Sequence, residues 1–191
     1  MTLITSGGDV DWGTLVAAVS GGTIAISGTV LADYLRHRHE QDRGVGERRR
    51  AVYIEFITAA GDCHARLRQI AQAPGAEADP DAAARAALSD AAIHEVRERL
   101  FIDATTDVAA AGQAMFQQLR ALQRTVATGA SLTSPVFHDA YHPYIGAVWI
   151  YRVAVRRELE GKPLAPEDFG WEGWDGRGRC PICQGAAVTG A

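Results

Sequence analysis

The residues best suited to chemistry sit near the end of the chain. "RCPICQG" places Cys180 and Cys183 in a Cys-Pro-x-Cys turn. That spacing points both sulfurs the same way and lets the turn's own N–H groups bond to them, the geometry of a zinc knuckle. Zinc in a structural site wants four ligands, and this motif supplies one pair. Three uses stay open. Two subunits could each give one CxxC to a shared zinc, the pair could be a redox dithiol, or it could be an inert dithiol in a tail. The redox use lacks the strand–helix context of thioredoxin-like proteins. "HDAYHPY" holds His138 and His142 four apart, on one face of a helix. The glutamate base of a zinc-protease helix is missing, since Ala140 and Tyr141 fill the middle. Pro143 disturbs the helix as well, so the two histidines read as a surface pair near a helix start. Cys63-His64 has no third member in sight, and no Walker sequence or glycine fingerprint occurs. The chain is therefore expected not to be an enzyme, and to need no cofactor, with zinc as the alternative.

The elements that carry these residues are best read from the N-terminus. Trp12 to Ala32 runs 21 residues without a charge, close to the roughly 20 needed to cross a bilayer. It contains seven of Leu, Ile and Val, four Ala and nine of Gly, Ser and Thr. Gly21-Gly22 and Gly28 would each cost about 1 kcal/mol relative to Ala in a water-soluble helix. Between membrane helices the same small residues permit close approach. A signal peptide begins with positive charge, whereas Asp9 and Asp11 precede this run. The positive charge follows it, in Arg36, Arg38, Arg43, Arg48, Arg49 and Arg50. The positive-inside rule then predicts a single-pass protein of the inner cell membrane, with its N-terminus outside and its C-terminus cytoplasmic. Trp12 and Tyr34 suit the two interfaces. The arginines would set topology and meet anionic headgroups, making lipid the first expected partner. Gly13, Ala17, Gly21, Ala25 and Thr29 recur every fourth residue, a stripe that predicts packing of one span on another and hence a homo-oligomer or a membrane protein partner. The net charge of −4 and the absence of interleaved aromatics in the basic run argue against direct nucleic-acid binding.

The remainder predicts an all-α fold, an antiparallel bundle of three to four long helices behind the N-terminal transmembrane helix. Val52, Phe56, Ala59, Cys63, Leu67 and Ile70 keep helical spacing, and Gly44 and Gly46 favour a bend before them. Asp79-Pro80 starts a helix expected to reach Phe101, with Leu88, Ala92, Val96 and Leu100 inward. "DATTD" interrupts it, and Thr105 caps the next helix, which carries Val108, Ala111, Met115, Leu119, Leu122 and Val126. Ser134-Pro135 opens a last helix to Glu160, with Ile145, Val148, Tyr151 and Val155 on one face and Pro143 as a late start or kink. The expected segments are 1–11 outside, 12–32 in the membrane, 33–50 basic and juxtamembrane, 51–161 the cytoplasmic bundle, and 162–191 a loosely ordered tail. Phe169, Trp171 and Trp174 are candidates to pack that tail on the bundle.

This layout resembles a broad set of actinobacterial membrane-tethered helical proteins, some labelled similar to the plasmid-transfer protein KilB. The likeness lies in "WGTLVAAVSGGTIAISGTVLADYLR", the arginine-rich passage into "RRRAVYIEFITAAGDCHARLR", "LFIDATTDVAAAGQAMFQQL" and "VAVRRELEG". It implies one N-terminal span and a cytoplasmic helical bundle, and it transfers no catalytic residue. The CPIC tail lies outside it. The expected function is a membrane-anchored, self-associating scaffold or interaction protein, possible partners including DNA-transfer machinery. The alternatives are a metal-binding module built on Cys180 and Cys183, or a thiol redox protein.

Overall fold

The computed structural model describes the backbone over residues 12–184, and the side chains of Arg36, Arg38 and every residue from 43 to 184. Among these residues the fold is all-α. Five helices follow in order: α1 (Trp12–Gln72), α2 (Pro80–Asp90), α3 (Ile93–Asp103), α4 (Thr106–Ala127) and α5 (Pro135–Glu160). Two short 3-10 turns, Pro166–Phe169 and Arg177–Arg179, punctuate the tail. The chain divides into two compact units at Val45–Gly46, between the two glycines where a bend was expected, although helical bonding continues through both. Among the described residues no helix is long and apolar enough to cross a membrane. The expected span over 12–32, with Gly13, Ala17, Gly21, Ala25 and Thr29, lies outside the described side chains.

The second unit is a helical bundle whose core follows the sequence pattern closely in α1 and α4. Val52, Phe56, Ala59, Cys63, Leu67 and Ile70 are all buried, as are Val108, Ala111, Met115, Leu119, Leu122 and Val126. Helices α1 and α5 run antiparallel. The Tyr151 hydroxyl donates to the Tyr53 carbonyl at 3.2 Å, and the Tyr144 hydroxyl to the Ala60 carbonyl at 3.1 Å. The Leu132 N–H donates to the Ala71 carbonyl at 2.8 Å.

The helix expected over 80–101 is in fact two short helices, α2 and α3. Leu88 and Ile93 are both buried, and five residues is a poor repeat for one helical face. The break resolves the misfit: Ala92 takes a left-handed φ of 49°, and α3 restarts with Ile93, Val96 and Leu100 inward. Ala92 itself is a turn residue, only partly buried, and not a core position. In α5 the buried face is Phe137, Tyr144, Ala147 and Tyr151; Ile145, Val148 and Val155 are partly buried at its margin. Pro143 sits inside a continuous helix. Ser134 caps that helix, accepting from the Phe137 N–H at 3.2 Å.

Thr105 occupies the N-cap position of α4 but makes no side-chain cap. Its hydroxyl donates to the Glu158 carboxylate instead. The same carboxylate accepts from the Tyr53 hydroxyl at 2.9 and 3.0 Å and pairs with Arg49 at 3.4 Å. Arg49 Nε also donates to the Asp103 carbonyl at 2.9 Å. This arginine, grouped by sequence with the headgroup contacts, is thus turned onto the bundle. Burial and the Glu158 charge push the Tyr53 phenol up to about 12. Removing Glu158 strands a buried hydroxyl, so Glu158→Ala should cost about 2–3 kcal/mol in urea unfolding. Its combination with Tyr53→Phe should cost less than the sum by roughly 1 kcal/mol.

His64 stacks between Tyr141 and Tyr144, with ring centroids 5.6 and 5.0 Å away, and its Nε2 is buried without a hydrogen-bond partner. Burial, assisted by the Arg68 charge, lowers it from 6.5 to about 4. The folded ring therefore stays neutral while the unfolded ring takes a proton. Its contribution is complete above pH 6.5 and is lost as pH falls toward 4. His64→Phe should gain roughly 2 kcal/mol on the parent between pH 7 and pH 4, measured by denaturant melts at each pH; parallel curves would contradict this.

Candidate metal centre

Helix α5 presents a second face, away from the core. His138, His142, Gly146 and Trp149 follow one another at helical spacing, and the tail docks along them. Trp174 stacks on Trp149 with centroids 4.7 Å apart and planes 18° from parallel. Trp171 meets the same ring edge-on at 4.7 Å, and Phe169 lies 5.6 Å away. Arg152 covers the cluster, its guanidinium 4.7 Å from the Trp149 ring. Gly146 keeps the helix bare where the tail passes: Asp175 Cβ lies 3.5 Å from the point a side-chain carbon would occupy. The tail is accordingly docked on α5, with Phe169, Trp171 and Trp174 packed on Trp149.

This docking carries the CPIC turn to the histidines. One ligand atom from each of His138, His142, Cys180 and Cys183 lies within 4.8 Å of all the others. Cys180 Sγ stands 3.3 Å from His138 Nδ1. The remaining ring nitrogens are held by backbone carbonyls, His138 Nε2 by Leu132 at 3.0 Å and His142 Nδ1 by Asp175 at 2.7 Å. A carbonyl only accepts, so those nitrogens carry the protons, and His138 Nδ1 and His142 Nε2 keep their lone pairs. His142 is 3% exposed, and its Nε2 is buried with no hydrogen-bond partner. Pairing of the outer imidazole nitrogen with a carbonyl is the usual support of a metal-ligating histidine.

The turn prepares the sulfurs as well. Cys180 is buried, which pushes its thiol up, but the Cys183 N–H, the His142 ring, the Cys183 thiol and the Ile182 N–H all favour the thiolate, and the net result is a fall to about 7. Burial and the neighbouring Cys180 sulfur raise Cys183. The donor set therefore offers two sulfurs and two imidazoles, the chemistry of tetrahedral zinc. At ordinary Zn–S and Zn–N lengths the ligand atoms of a tetrahedron stand about 3.3–3.8 Å apart, so small side-chain rotations would close this cluster on an ion. Arg177 anchors the rim, 3.8 Å from the Asp139 carboxylate.

The sequence grouped Cys180 with Cys183 and read His138 and His142 as a separate surface pair, whereas the structure brings all four together. The signal available was the stripe His138, His142, Gly146, Trp149, whose ring and gap have no role in a solvent-facing helix. Cys63, fully buried and raised to about 12 by burial, takes no part in the cluster.

The fold and the cluster together define an all-α protein with a complete two-histidine, two-cysteine donor set in one chain. Comparison with protein-family models, with curated proteins and with solved structures gives no match.

Proposed function

We propose that this chain is a zinc-binding helical interaction protein, in which a structural zinc fastens the C-terminal tail to α5. The observation that carries the reading is the buried, partnerless Nε2 of His142, facing two cysteines and a second imidazole whose outer nitrogens are already engaged. Four protein ligands close a tetrahedral site and leave no position for substrate, so the metal serves architecture and not catalysis. One chain supplies all four ligands, which favours an internal site over one shared between subunits. The fall of the Cys180 thiol to about 7 also suits a redox dithiol, and that is the second reading; it leaves the orientation of both histidines unaccounted for.

We read the same chain as tethered to the inner membrane through residues 12–32, self-associating there, with the bundle as its cytoplasmic interaction domain. That reading rests on the apolar run, its small-residue stripe and the arginines that follow.

Purified protein should contain one zinc per chain. Cys180→Ser, Cys183→Ser, His138→Ala and His142→Ala should each remove most of it, and cobalt should give the tetrahedral spectrum with thiolate charge transfer. Chelation should expose Arg177 and Arg179 to trypsin while the bundle keeps its helical circular dichroism. Zinc lost from the cysteine variants but retained by both histidine variants would overturn the internal site; no stoichiometric metal in the parent would overturn the function. Alkaline carbonate washing should leave the full chain in the membrane pellet, and deletion of residues 1–32 should release it; recovery of the parent in the supernatant refutes the tether.

A further inference from the structure

A groove of about 330 Å³ opens between the start of the α1 core segment and the C-terminal half of α5, away from the metal cluster. Its floor is apolar, built from Ile54, Ile57, Val155, Leu159 and Leu164. Ile54 is 58% exposed there, a large apolar side chain left in water with open space in front of it. The rim is cationic: Arg50, Arg152 and Arg156 all line it. Arg156 is neutralised by Glu160 at 3.0 Å. Arg152 rests on the Trp149 ring, which satisfies a face of the guanidinium but not its charge. Arg50 is exposed and has no hydrogen-bond or ion-pair partner among the described residues. Two guanidinium groups therefore border an apolar trough without a carboxylate to answer them.

We infer that this groove binds a long-chain fatty acid, the acyl chain along the isoleucine–leucine floor and the carboxylate on Arg50 and Arg152. The volume falls in the range of small-ligand sites. An apolar floor recognises a chain through area removed from water, and a guanidinium fork matches a carboxylate in two parallel hydrogen bonds. A second copy of the chain is a poor occupant, because a two-fold contact would set one arginine rim against the other. The Tyr53 hydroxyl, near the floor, is committed to Glu158, so the head of the ligand is recognised by charge. The inference is independent of the zinc.

The test uses the full chain in a nonionic detergent with a photoreactive dodecanoate carrying a diazirine on its chain. Irradiation should label residues within 50–57 and 151–164, saturably. Unlabelled dodecanoate should compete about tenfold better than dodecanol, and acetate should not compete. Arg50→Glu and Ile54→Asp, both at exposed positions, should each cut labelling at least about tenfold without moving the thermal melt. Unsaturable or scattered labelling, dodecanol matching dodecanoate, or unchanged labelling in Arg50→Glu would overturn the site. An anionic phospholipid competing better than dodecanoate would overturn its assignment to a fatty acid.

Discussion

The rotation of α5 about its own axis is the constraint on which the second unit depends. Two tyrosines set it. Tyr144 and Tyr151 stand seven residues apart and reach across to carbonyls of α1, at Ala60 and Tyr53. Each is almost fully buried, and a buried hydroxyl without its partner costs about 1–3 kcal/mol, so the helix cannot turn freely under them. With about 100° per residue, fixing 144 and 151 against the core swings 142 and 149 to the far side. The metal-ligand face is thus a consequence of how the opposite face is bonded.

That coupling explains what could be read from the sequence and what could not. In α1 and α4 one apolar stripe faces one core, and spacing alone identifies it. Helix α5 carries two stripes, tyrosine and phenylalanine toward the core and histidine, glycine and tryptophan toward the tail, so a single-face reading finds Tyr151 in the core but joins it to Ile145, Val148 and Val155, which are only partly buried. The break at Ala92 was hidden for a different reason. Both halves of 80–103 have good helical composition, and only the five-residue step from Leu88 to Ile93 betrays the change of phase. The histidine–cysteine cluster was out of reach because 33 residues separate His142 from Asp175, and local spacing cannot report a contact made by a returning loop. Thr105 shows the same limit on a smaller scale: its position as a cap is local, but its hydroxyl goes to Glu158, 53 residues on.

Glu158 and the histidine–cysteine cluster occupy opposite ends of α5. At one end a single carboxylate gathers Tyr53, Thr105 and Arg49 and so joins α1, the α3–α4 junction and α5. Its donors sit on α1 and at the N-cap of α4, positions already held by the core. At the other end the segment to be joined is a tail without a helix of more than one turn.

That difference is what the proposed metal at the tail end would offset. Between residues 162 and 184 Cys180 alone is buried; the tryptophans and Phe169 remain partly or fully open to water. Ordering such a glycine-rich segment costs conformational entropy at every residue, and the apolar area it removes from water is small. Aromatic stacking contributes about 0.5–1.5 kcal/mol per pair, enough to choose a docking place but too little to hold a tail of this length. The proposed four-ligand zinc would join the tail at two positions to the helix at two others and add its binding free energy to the ordered state. On that proposal the aromatic cluster selects where the tail lies, the Gly146 gap lets its backbone approach, and the ligands hold it there.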